Sequence, residues 1–313
     1  KLDFQAAVAA TPVRIESGSN TQDITVGTSW KGTASYTADD TEMTVYGDIT
    51  GFSCSENYAK LTAIDLSQNT QLKELNCGSN NLTTLDVSGC TPLEQLNCSS
   101  NQLTSLDVSH NTQLTELGCS YNQLSSLDVS GCTQLEWLNC RENNLTSLDV
   151  SGYTQLERLN CYSNRLTTLD VSGCTQLKIL DCYNNNLTTL DVSGRTQLTE
   201  LGCYNNNLTT LDVSGCTQLK ELWCHGNNFN TTALDRIYCA LPDRTSKTNG
   251  VIYPLKNSSD PNHATVLATN AQNATAKNWK VLYAEDNADV PTTGKHKCSA
   301  TDIAEVSAEP ALT

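Results

Sequence analysis

The sequence predicts a solenoid, a right-handed, curved stack of mostly β coils with parallel sheets, capped at both ends. Three observations carry this prediction. From about residue 72 to 227 the unit L-x-x-L-x-C-x-x-N-x-L-T-x-L-D-V-S-x-x-T-x recurs every 21 residues, and Cys77, Cys98, Cys119, Cys140, Cys161, Cys182, Cys203 and Cys224 keep its beat without a slip. A fixed period of this kind marks a quasi-one-dimensional stack in which each unit packs on its neighbours. In L-x-C the chain reads as extended, so alternate side chains point inward and each inward position becomes a buried column. Hydrophobic content is 38% and aromatic content 6%, lean for a compact globule of 313 residues.

The elements follow in order. Residues 1–50 lack the repeat and form the N-terminal cap, with short strands expected in "DITVGTSW", "TASYTA" and "EMTVYGDI". Residues 51–230 hold about nine coils, the first of them two residues longer ("NYAKL" against "NNL") and led by Cys54. In "TTALDRIYCALPD" Leu234, Ile237, Tyr238 and Leu241 recur at helical spacing, with Thr231 or Thr232 as the capping residue. "GVIYPL" then reads as a strand, "PNHATVLATNAQNATAKN" as a second helix and "WKVLY" as a closing strand, an αβαβ cap over residues 231–285 that extends the parallel sheet. Residues 286–313 are polar and read as a linker or tail. The chain opens on Lys1 rather than Met, as a processed form or an excised piece would. There is no run of 18 apolar residues, so no membrane insertion is expected.

Each column has a physical role. The inward asparagines Asn57, Asn80, Asn101, Asn122, Asn143, Asn164, Asn185, Asn206 and Asn227 bond backbone groups that the turns leave unpaired. On the opposite side of the coil Cys90, Cys132, Cys174 and Cys216 alternate with Asn111, Tyr153 and Arg195 in a second asparagine-like column. Extended segments are expected on that side too, with Tyr153 and Arg195 turned outward. Fifteen cysteines is an odd number, so one monomer cannot pair them all. C-x-x-C spacing, which metal sites favour, is absent. Alternate members of the second column lie ~9.6 Å apart, beyond disulfide reach, and parallel inward columns have poor bridging geometry. The cysteines are therefore expected to be buried, reduced and packed as small hydrophobes. Cys239 is expected under the C-terminal cap, and Cys298, in the tail, is a candidate reactive thiol. Asp65, Asp86, Asp107, Asp128, Asp149, Asp170, Asp191 and Asp212 form an outward column. Local hydroxyls and turn amides satisfy it on one reading, calcium on the other; one carboxylate per coil favours the first.

The copies serve as their own control, because positions that vary on a surface are free for recognition. Three outward positions on the L-x-x-L-x-C strand vary. The first three coils are small and polar there, whereas the last five carry Trp137, Arg141, Arg158, Tyr162, Tyr183, Tyr204, Trp223 and His225. These eight are the candidate ligand-binding residues, of types enriched at binding hot spots. A ladder that only stabilises neighbouring strands is the competing reading. A net charge of −15 argues against nucleic acid and anionic membranes. His110, His225, His263 and His296 lie in no H-E-x-x-H, G-x-S-x-G or phosphate-loop context. His110 and His263 read as surface loop residues. No catalytic residue, metal or cofactor is expected.

The repeat is that of leucine-rich repeat proteins. It resembles the 21-residue repeats of secreted and surface proteins of Bacteroidetes and, more distantly, internalin-type repeats. The resemblance extends to "TVYGDITGFSCSEN" and to "ALDRIYCALPD…NATAKNWKVLY". The ending "ATDIAEVSAEPALT" is similar to the segment preceding a sorting domain of type IX secretion, which implies an exported cargo. The resemblance implies a secreted or outer-surface protein, an adhesin or ligand-capturing protein. The expected function is non-catalytic recognition of an extracellular protein or peptide by a monomer; a glycan ligand and a spacer without a ligand are the alternatives.

Overall fold

In the computed structural model, which describes residues 1–57, 61–299 and 302, the chain forms two compact units, residues 1–144 and 145–313. In the first unit β1 (Asp3–Ala6) pairs antiparallel with β5 (Ile49–Ser53), and β2 (Thr11–Ser17), β3 (Asn20–Val26) and β4 (Thr44–Tyr46) form a separate sheet in the order β3-β2-β4. Of the expected cap strands, "DITVGTSW" contributes its first four residues to β3 and "EMTVYGDI" contributes β4. "TASYTA" makes only an isolated bridge, Leu2 to Ala34. β1 and β2 were not foreseen, although Leu2, Phe4 and Ala6, and then Val13 and Ile15, alternate with polar residues and are buried.

From β5 onward the strands run parallel. β6 (Glu74–Asn76), β7 (Gln95–Asn97), β8 (Glu116–Gly118) and β9 (Trp137–Asn139) follow one another at the 21-residue register, and β5 joins β6 with Phe52 opposite Leu75. That register puts Cys54 on the column, buried like the rest. Part of the longer coil around it, residues 58–60, lies outside the described residues. The second unit holds β10 (Arg158–Asn160), β11 (Ile179–Asp181), β12 (Glu200–Gly202) and β13 (Glu221–Trp223), paired in the same register. Its cap adds α1 (Thr231–Ala240), β14 (Gly250–Leu255), α2 (His263–Leu267), α3 (Gln272–Thr275) and β15 (Trp279–Tyr283), with β14 parallel to β13 and β15 parallel to β14. Asn230, not a threonine, caps α1: its side chain accepts from the Ala233 amide at 2.8 Å. The second expected helix is divided into α2 and α3, and between them the Asn270 amide donates to buried Asp235 at 2.8 Å. His263 opens α2 rather than lying in a loop, and its Nε2 is 2.8 Å from the Tyr283 hydroxyl.

The inward columns behave as their chemistry requires. Asn101 donates to the Cys77 and Cys98 carbonyls, both at 3.0 Å, and accepts from the Leu82 amide, so one side chain bridges consecutive coils. Before each ladder asparagine the chain enters the left-handed region, as at Tyr121 (φ 52°), Asn184 (φ 52°) and Gly226 (φ 64°). In the second column the Asn111 amide donates to the Val87 carbonyl. Cys132, Cys174 and Cys216 offer their S–H to the equivalent carbonyls of Val108, Val150 and Val192 at 3.5, 3.2 and 3.1 Å. Arg195 does not turn outward. Its guanidinium folds back and donates to the Val171 and Ser172 carbonyls, replacing the donor its column needs. Tyr153 is buried as well, since its ring removes more apolar surface from water inside than outside. The expected extended segments opposite the strands are reduced to isolated bridges, Asp86 to Asp107 and Asp191 to Asp212.

Residues 286–298 pack on the cap instead of running as a linker. Val290 is buried, and the Thr293 and Gly294 amides donate to the Leu267 and Thr269 carbonyls. Cys298 is not a free thiol: it forms a disulfide with Cys239 of α1. The other thirteen cysteines are free and buried. The ending that resembles a secretion segment, residues 300–313, lies outside the described residues apart from Asp302.

Candidate ligand-binding faces

In the second unit the strands β10 to β13 set three parallel rows. Arg158, Ile179, Glu200 and Glu221 share one, and Asn160, Asp181, Gly202 and Trp223 the next. Just past the strand ends Tyr162, Tyr183, Tyr204 and His225 form the third. Their rings stack face to face with centroids 4.1, 4.2 and 4.6 Å apart and planes within 13° of parallel. Strand spacing of ~4.8 Å brings the rings this close. The consequence is that ring faces are spent on one another, so the file offers a ligand its ring edges and hydroxyls rather than the flat strip that sugar stacking uses.

Burial within the file, and then the neighbouring Tyr162 hydroxyl, push the Tyr183 phenol well above its ordinary value; burial raises Tyr204 likewise. The Tyr183 and Tyr204 hydroxyls therefore remain protonated across physiological pH. His225 is 6% exposed, and its Nδ1 is buried without a hydrogen-bond partner. Burial lowers its pKa, partly offset by Asp260. A neutral imidazole thus closes the file, since a charged one would lose more solvation than its neighbours return.

The remaining expected residues are not all drawn to this file. Trp223 stacks on Tyr253 of β14 with centroids 3.9 Å apart, and the Tyr253 hydroxyl donates to Asn287 at 2.9 Å. Tyr253 was missed because "GVIYPL" reads as a strand but does not reveal its register. Arg158 is exposed, on the row farthest along the strand from Tyr162, and no ion pair among the described residues involves it. Trp137 and Arg141 belong to the first unit. The Arg141 guanidinium lies 5.2 Å from the centre of the Tyr121 ring, a cation–π contact, while Trp137 borders a cleft with Glu74, Gln95 and Glu116.

Burial pushes the thiols of Cys98 and Cys140 up to about 12, far from the reactive thiolate. Cys239, His296 and Asp302 gather within 4.8 Å, but the Cys239 sulfur is committed to its disulfide. Each aspartate from Asp65 to Asp212 accepts the amide of the serine two residues on, at 2.8–3.0 Å; Asp212 is buried rather than outward, and its Oδ2 has no partner among the described residues.

A family model of leucine-rich repeats matches residues 70–111, 154–194 and 196–236. No curated protein matches the chain. The functional domain of InlJ from Listeria monocytogenes, which includes a cysteine ladder, is similar with a TM-score of 0.60 at 32% identity, over 82% of this chain and 56% of that one. An internalin, InlF, from the same organism is similar with a TM-score of 0.53 at 24% identity, over 56% of this chain and 55% of that one, a likeness of fold alone. The chain therefore spans little more than half the length of either.

Proposed function

We propose, from the premise that this chain is a leucine-rich repeat protein with internalin-like structural neighbours, that it recognises an extracellular protein or peptide without catalysis. The site is the Tyr162–Tyr183–Tyr204–His225 file, with Trp223 on the adjoining row and Arg158 one row beyond. One observation carries this reading. Four rings stack at 4.1–4.6 Å, and the three half-buried tyrosines among them present ring edges and hydroxyls beside Asn160 and Asp181 of the next row. Such a row suits polypeptide backbone and side chains better than pyranose faces, which need exposed ring planes. Tyrosine also brings large contact area at low conformational cost. Leucine-rich repeat domains serve as protein-binding scaffolds, and the likeness to InlJ favours a surface or secreted role, an adhesin or ligand-capturing protein. No helix among the described residues is long and apolar enough to cross a membrane. The repeat type and the ending of residues 300–313 support export by type IX secretion.

The test is a binding screen of the wild type and the Tyr162→Ala/Tyr183→Ala/Tyr204→Ala variant against extracellular-matrix proteins and glycan arrays. A protein ligand lost by the triple variant, about 100-fold or more, is expected. A triple phenylalanine variant keeps the stack and should lose less. A glycan ligand, or a protein ligand bound unchanged by the alanine variant, would overturn the assignment.

A further inference from the structure

The first unit carries a second row whose chemistry is opposite in kind, and its reading does not depend on the tyrosine file. On β6 to β9 the outward positions Glu74, Gln95, Glu116 and Trp137 sit opposite one another in register. At the other end Trp30, brought from the N-terminal cap 44 residues earlier, donates its indole N–H to Glu74 Oε2 at 3.1 Å. The row therefore reads indole, carboxylate, amide, carboxylate, indole. It borders a cleft of about 380 Å³ that buried Asp3 also lines, and among the described residues no lysine, arginine or histidine lines it. Trp30 is 38% exposed despite its size. Its position is built for: a Cβ at Gly51 would meet the Trp30 ring at 3.1 Å and Gln5 at 2.9 Å, so only glycine lets the indole lie there without displacement. The Glu116 carboxylate has one weak neighbour, the Gln95 amide at 3.5 Å, and Glu74 keeps a second oxygen.

We infer that this cleft is a subsite for a cationic side chain, arginine or lysine, of a polypeptide partner. Two carboxylates two strands apart, ~9.6 Å, set a negative field that a guanidinium between them would meet from either side. Trp137 follows Glu116 in the row, and tryptophan is the strongest aromatic partner of a cation held beside it. Among the described residues no basic side chain in the lining compensates that field from within.

The experiment follows the indole N–H resonances of the chain of residues 1–313, whose four tryptophans give four signals that single Trp→Phe variants assign. The probe is the capped tripeptide acetyl-Gly-Arg-Gly-amide; the control replaces arginine by citrulline, isosteric and uncharged. Saturable shifts of the Trp30 and Trp137 signals with the arginine peptide alone are expected. They should weaken at high salt and be reduced about fivefold in affinity by Glu116→Gln. Tyr183→Ala should leave them unchanged. Equal shifts with citrulline, shifts confined to Trp223 or Trp279, no saturation by the arginine peptide, or calcium chloride reproducing the effect would each overturn the proposal.

Discussion

The side-chain amide of Asn185 donates to the carbonyls of Cys161 and Cys182 at 3.1 and 3.0 Å and accepts from the Leu166 amide at 3.0 Å. Leucine keeps the branched shape, in a somewhat larger volume, and would leave those buried groups unpaired, at ~1–3 kcal/mol for each group left without water or partner. Asn185→Leu is therefore expected to lower unfolding free energy by about 3 kcal/mol, read from urea melts; a change under ~1 kcal/mol would mean that the ladder is not what binds the coils. The same columns set a thiol prediction. With thirteen cysteines buried and free and two in a disulfide, the native protein should react negligibly with a thiol reagent. Denaturant should release thirteen thiols, and denaturant with reductant all fifteen. Identity at column positions was legible in the sequence because stacking forces inward residues to repeat. The exceptions were not: Arg195 reaches a carbonyl 24 residues back, and Tyr153 goes inward, and both outcomes depend on space that a one-dimensional pattern does not describe.

At the scale of elements, repeats and caps differ in what holds them. Each repeat strand is three residues long and gains its stability from parallel neighbours in register, so its existence and alignment follow from the period. The cap has no period and was legible only as helix, strand, helix, strand. Its ties are long-range: Arg244 is buried with its guanidinium on the Leu219 and Thr248 carbonyls, and Lys277 reaches the Tyr238 and Leu241 carbonyls at the end of α1. The Cys239–Cys298 disulfide closes a separation of 59 residues, too far apart for spacing to pair them, and binds 286–298 to α1. Cross-links of this span contribute ~2–4 kcal/mol. Cys298→Ser should accordingly accelerate amide exchange in α1 and β15 while leaving β10 to β12 nearly as protected as before. Uniform loss across the unit would show that cap and repeats unfold together. The candidate sites divide the same way. The tyrosine file was legible because its members share a repeat position, whereas Trp30 and Tyr253 enter from caps, and only the fold places them.

For the whole molecule the deciding quantity is its charge. At −15, lowering the pH from 7 relieves repulsion and by itself would stabilise the chain. The aspartate column opposes this. Asp65, Asp107, Asp128 and Asp149 are held below the usual carboxylate range chiefly by the backbone amide of the serine two residues on, and Asp86 chiefly by the Ser88 hydroxyl. Repulsion from Asp86 on Asp65 is present but is the weakest influence on it. A carboxyl with a depressed folded value contributes stability that is fully present above its unfolded value, ~3.9, and lost as the pH falls through the folded one. The two effects therefore occupy different windows: relief of repulsion as carboxylates first protonate, then loss of the serine-bonded column below about pH 4. Salt separates them, because ~0.5 M screens exposed charges several ångströms apart but not a 2.9 Å hydrogen bond such as that from Ser67 to Asp65. Thermal melts from pH 7 to 2 should show that added salt raises Tm at pH 7 yet leaves the steep acid limb below pH 4 in place. A chelator should change neither, since amides and hydroxyls satisfy the carboxylates. A Tm that keeps rising to pH 3, or one that collapses on chelation, would mean that repulsion or a bound cation governs the column instead.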